Sequence, residues 1–171
     1  MSGKLELSAS LVYFFDQPVT RDEAILGLVS LLEENGYVKP SFGQACIERE
    51  KVFPTGLPTM PFGIAIPHTD CEHVERGAIA VGILPQSVRF VEMGCLDDSF
   101  VDARVIVVLA IADPEAVAGV LRELALAFQD AEFITALAQS KSAKTVLGLF
   151  AAHTPAVVEV SSSHLSKKDA S

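Results

Sequence analysis

Residues 104–112 read Arg-Val-Ile-Val-Val-Leu-Ala-Ile-Ala, an arginine followed by an unbroken apolar run rich in β-branched side chains. A strand that lacks polar–apolar alternation has no face to turn to water, so it has to lie inside a sheet covered on both sides. That requirement selects a layered α/β architecture. The next residues, Asp113-Pro114-Glu115, are a helix start with a cap, a proline at the first position and an acid in the first turn. The helix it opens would bury Val117, Val120, Leu121, Leu124 and Phe128.

The remaining punctuation fits that scheme. Residues 10–15 read as a first strand, and Thr20 with Glu23 as a capping box for a helix carrying Ile25, Leu26, Val29 and Leu32 and ending at Gly36. Ser41 and Gln44 repeat the cap signal for a second helix that holds Cys46 to Glu50. A loop from Phe53 to Pro61 leads to an apolar strand that stops at Pro67 and presents a half-exposed His68 at the sheet rim, since proline cannot donate to a ladder. Gly77–Leu84 and Val88–Glu92 read as two strands across a turn, and residues 131–139 and 143–150 as two closing helices. The expected fold is a single-domain mixed β-sheet sandwiched by helices over residues 1–153, with residues 154–171 a flexible tail.

Composition narrows the function classes. A net charge of −9 argues against nucleic acid or anionic membrane as the main partner and suits a basic protein partner. No apolar run is long enough to span a bilayer and the start has no signal-peptide core, so a cytosolic location is expected. Cys46, Cys71 and Cys95 are odd in number and spaced unlike a disulfide or zinc framework, which reads as reduced thiols.

A lone histidine after a strand is usually structural, but the flanks of His68 change its reading. Arg49-Glu50 closes the second helix, Thr55-Gly56 forms a turn, and Gly63-Ile-Ala-Ile-Pro-His68 follows. With these residues, and with the stretch from Asp130 to Leu137, the chain resembles the IIA components of the fructose, mannitol and galactitol branch of the bacterial phosphoenolpyruvate-dependent sugar phosphotransferase system, over roughly residues 8–152. Extra residues from Pro58 to Phe62 make it look most like the galactitol group. The resemblance implies the mannitol/fructose-type IIA fold and a phosphoryl relay. HPr would phosphorylate His68, which would hand the group to a cysteine of a IIB component, with the membrane IIC component served indirectly. It implies no metal, nucleotide or other cofactor.

The chemistry is consistent with those residues. A neutral imidazole is a competent nucleophile near neutral pH, and a loose phosphoryl transition state needs positioning and positive charge more than covalent help. Arg49 offers a planar fork for two phosphoryl oxygens, and Thr55 and Gly56 a hydroxyl or backbone N–H donors. Many relatives carry a second histidine near the start of the helix after the central strand; here that stretch, residues 113–117, has none. Two other readings compete. One is a free-standing regulatory IIA-like domain whose phosphorylation controls another protein. The other is a metal-dependent hydrolase built on the His68, Asp70, Cys71 and His73 cluster, disfavoured because structural zinc sites draw on two separated ligand pairs.

Overall fold

The structure, a computed structural model, describes residues 3–161. Seven strands, β1 (Leu5–Leu7), β2 (Val12–Phe14), β3 (Gly56–Leu57), β4 (Gly63–Ala65), β5 (Ala78–Val91), β6 (Phe100–Ala110) and β7 (Val158–Val160), form one mixed sheet in the order β3-β4-β6-β5-β1-β7, with β2 also paired to β5. Five helices accompany it: α1 (Arg21–Glu34), α2 (Phe42–Val52), α3 (Val117–Ala127), α4 (Ala131–Gln139) and α5 (Ala143–His153).

β6 sits at the centre, antiparallel to β5 and parallel to β4. Val105 to Ala110 are all buried, as the unbroken apolar run requires, and both α1 and α4 pack on the β5–β6 pair. The strand starts earlier than its apolar run, because Phe100 to Ala103 alternate exposed and buried along a ribbon with Val88 to Val91. β5 is one strand, not two across a turn. The ladder shifts register between Ile83 and Val88, and the exposed Pro85 lies in that irregular stretch.

Thr20 caps α1 as expected, its hydroxyl accepting from the Glu23 N–H at 3.1 Å. Ser41 does not cap α2; its hydroxyl bonds the His73 ring instead, at 2.8 Å. Asp113 caps a turn, accepting from the Glu115 N–H at 3.0 Å, and regular helix begins only at Val117. Along α3 only Val120, Leu124 and the following Phe128 are buried, with Val117 and Leu121 left half-covered.

Residues 10–15 are not one strand. Ala9–Leu11 form a 3-10 turn before β2, and the short β1 precedes it. The boundary expected at residue 153 cuts into the fold, since β7 pairs in parallel with β1 and Val157 and Val158 are buried. The rest of the expected tail, residues 162–171, lies outside the described residues.

Candidate functional site

Backbone pairing does not stop at Pro67. Its carbonyl accepts from the Leu109 N–H at 2.9 Å, and His68 bridges Leu109 beside β6, so the sheet itself carries the histidine. The ring is consequently less open than expected, 7% exposed rather than half exposed. Nδ1 lies 2.8 Å from the Ile66 carbonyl oxygen. A carbonyl can only accept, so Nδ1 carries the proton and the lone pair is on Nε2.

Among the described residues Nε2 has no hydrogen-bond partner, yet it is not sealed off: the one enclosed side-chain polar atom there without a partner is Arg49 Nε. Burial pushes the His68 pKa down, and the Arg49 charge adds to this, against the Ile66 hydrogen bond and Asp70. The ring is therefore held neutral and nucleophilic near pH 7.

Arg49, from the last turn of α2, shares a cleft of about 360 Å³ with His68, Asp70, Cys71, Pro114 and Val117. Its guanidinium lies over the Phe53 ring, 5.0 Å from the centroid, and Nη1 is 3.3 Å from Asp70 Oδ1. Among the described residues Arg49 is the one permanently cationic side chain lining this cleft. Pro114 and Val117 form the wall from the segment where many relatives carry a second histidine, and among the described residues no imidazole besides His68 lines the cleft. A second cleft of about 340 Å³ also reaches His68 and Arg49. Its rim includes the exposed Val52, Phe53, Met93 and Leu96.

Thr55 is placed differently from its expected use. It is buried, and both its N–H and its hydroxyl donate to the Glu50 carboxylate, at 2.9 and 2.8 Å. These donors secure the turn and do not point a free hydrogen at a phosphoryl group. Gly56 is a matter of close approach: a Cβ there would stand 2.7 Å from the Val91 carbonyl oxygen. Glu50 went unassigned from the sequence alone. It follows Cys46 by four and Ile47 by three residues, both buried, so the helical period already turned it inward. Burial pushes its pKa up to about 7, against the two Thr55 hydrogen bonds and the Arg21 charge.

Of the ligand-type residues from His68 to His73, His68, Asp70 and Cys71 line the cleft and His73 does not. His73 Nδ1 bonds Ser41, and among the described residues no three His, Cys, Asp or Glu side chains are placed to hold a metal ion. Burial raises the Cys46 pKa, so that thiol stays protonated.

The family model for the phosphoenolpyruvate-dependent sugar phosphotransferase system, EIIA 2, matches residues 7–153. The chain belongs to this EIIA family. It is 32% identical over 150 residues to the mannitol-specific EIICBA component of Escherichia coli K12, covering 85% of this chain and 22% of that protein. It thus spans about a fifth of the length of the mannitol relatives it matches. The galactitol-specific EIIA component of Escherichia coli K12 is 29% identical over 119 residues, covering 70% of this chain and 78% of that protein.

Mannitol relatives therefore match more strongly than galactitol ones, against the expectation drawn from the 58–62 loop. Among solved structures, the complex of enzyme IIAMTL with phosphorylated enzyme IIBMTL from Escherichia coli is similar to this EIIA chain. The TM-score is 0.71 at 31% identity, over 86% of this chain and 99% of that one. The mixed sheet flanked by helices is the mannitol/fructose-type IIA fold. Among the described residues no helix is long and apolar enough to cross a membrane.

Proposed function

We propose that this EIIA chain is a cytosolic phosphohistidine carrier that takes a phosphoryl group from HPr onto Nε2 of His68 and passes it to a cysteine of a IIB component. The observation that carries the reading is the state of the ring: Nδ1–H held by the Ile66 carbonyl, Nε2 without a hydrogen bond, and Arg49 in the same cleft. In the transfer the Nε2 electron pair forms the new N–P bond. The bond from phosphorus to the donor nitrogen breaks, and its electrons stay with the donor imidazole. Ile66 stabilises the positive charge that the His68 ring gains, and Arg49 stabilises the phosphoryl oxygens. The second transfer reverses these roles towards the IIB thiolate.

The apolar rim of Val52, Phe53, Met93 and Leu96 gives a partner protein something to cover and excludes water from the transfer. The Escherichia coli complex of a IIA with a phosphorylated IIB supports a IIB partner. The sugar served through IIC is a hexitol: the 58–62 loop favours galactitol, and the stronger relatives favour mannitol.

Phosphoenolpyruvate, enzyme I and HPr should place one acid-labile, alkali-stable phosphate on the chain, and IIB from the mannitol or galactitol system should then remove it. Uptake that no IIB cysteine can discharge would contradict the carrier role and leave a regulatory one.

A further inference from the structure

Among the described residues Arg49 is the only permanent cation lining the His68 cleft, so whatever holds its guanidinium at rest competes with the incoming group. Its five N–H donors are poorly matched. Nε is enclosed without a partner, one face rests on Phe53, and the sole carboxylate at ion-pair distance among the described residues is Asp70. That contact, 3.3 Å, is longer than the 2.7–2.9 Å of a firm charge-assisted bond. The Asp70 side chain is 69% exposed, so water can solvate its carboxylate as soon as it lets go. Arg49, Asp70 and His68 line one cleft, and a phosphoryl dianion on Nε2 would enter it.

We propose that Asp70 is a positioning residue: it is the resting counter-ion of Arg49, displaced when phosphate arrives, and it thereby limits how tightly Arg49 holds the phosphoryl group. The inference rests on the reading of His68 as the phosphoryl acceptor. A carrier has to release what it accepts, and a clamp that binds its cargo too well slows the second transfer. A competing carboxylate keeps Arg49 in place over the empty site and weakens its grip on the loaded one. Both charges also reach the ring. After the larger effects of burial and the Ile66 hydrogen bond, Arg49 lowers the His68 pKa and Asp70 raises it.

The test is the equilibrium between phospho-HPr and this chain, read as the phosphorylated fraction of each. Wild type, Asp70→Asn, Asp70→Glu, Arg49→Ala and the Arg49→Ala/Asp70→Asn double variant are compared, with melting temperatures alongside. Asp70→Asn should shift the equilibrium about threefold towards phospho-His68, the size expected for an exposed ion pair, and slow discharge to IIB. Asp70→Glu should restore the wild-type position, and in the Arg49→Ala background Asp70→Asn should add nothing. A purely structural residue would lower the melting temperature without favouring the phosphorylated form. An unchanged or reversed equilibrium in Asp70→Asn overturns the proposal, as does an equal shift without Arg49. If wild type accepts phosphate and His68→Ala does not, such a result removes only the role of Asp70. If wild type accepts none, the reading of His68 falls with it.

Discussion

Glu50 exchanged water for two donors from Thr55, and the exchange is incomplete, because its carboxyl titrates near pH 7 rather than at its ordinary value of 4.5. Between those values the native protein binds more protons than the unfolded chain, so this group's contribution to stability falls as pH rises from about 4.5 to about 7. Glu50→Gln removes the buried charge. Its melting temperature relative to wild type should therefore rise between pH 5 and pH 8, and an offset that is constant across that range would contradict the assignment. Arg49 belongs to the same turn of α2 but faces the cleft, and in the proposed transfer its charge would act on the moving group. Arg49→Ala should slow phosphoryl uptake by about 10²-fold, the order seen when one transition-state donor is removed, while HPr binding changes little. Equal losses in rate and binding, measured by quench-flow and calorimetry, would make it a docking residue.

At the scale of elements, the site depends on two short strands packed very close to their neighbours. A Cβ on Gly63 would stand 2.8 Å from the Asp102 carbonyl oxygen and closer still to Val101, at the point where the β4–β6 register shifts. Gly63→Ala should cost about 1–3 kcal/mol by overpacking and loosen the strand that delivers His68. Denaturant unfolding checks it; an unchanged midpoint would show that β6 can yield there. The same elements show what was legible beforehand. The core of β6 was readable because eight apolar residues in a row leave no other strand environment. Its first four residues were not, since alternating exposure on a two-stranded ribbon resembles a loop. β1 and β7 are three residues each, too short to show a period. His68 and Arg49 were found together through their flanking motif, and the structure does bring them into one cleft. Glu50 and Asp70 meet partners five and twenty-one residues away, pairings that no local pattern displays.

For the molecule as a whole, the two ends of the described chain close the sheet together. Leu5 N–H donates to Val157 and Ser161 N–H to Leu7, so β7 covers the outer edge of β1. Truncation after residue 153 would uncover that edge and expose the sites of two buried valines, each worth about 1.5–3 kcal/mol. The melting temperature should fall by roughly 6–24 °C, at about 2–4 °C per kcal/mol for a chain of this size; an unchanged melt would put the domain boundary back at 153. A net charge of −9 and an apolar rim beside the histidine fit the proposed relay, in which a partner protein would dock over the cleft and leave again. The most direct measurement of that account is nitrogen-15 NMR of histidine-labelled protein after phosphorylation by phosphoenolpyruvate, enzyme I and HPr. The account predicts phosphate on Nε2 of His68 with Nδ1 still protonated and no modification in His68→Ala. Phosphate on Nδ1, or on another residue when His68 is replaced, would contradict it.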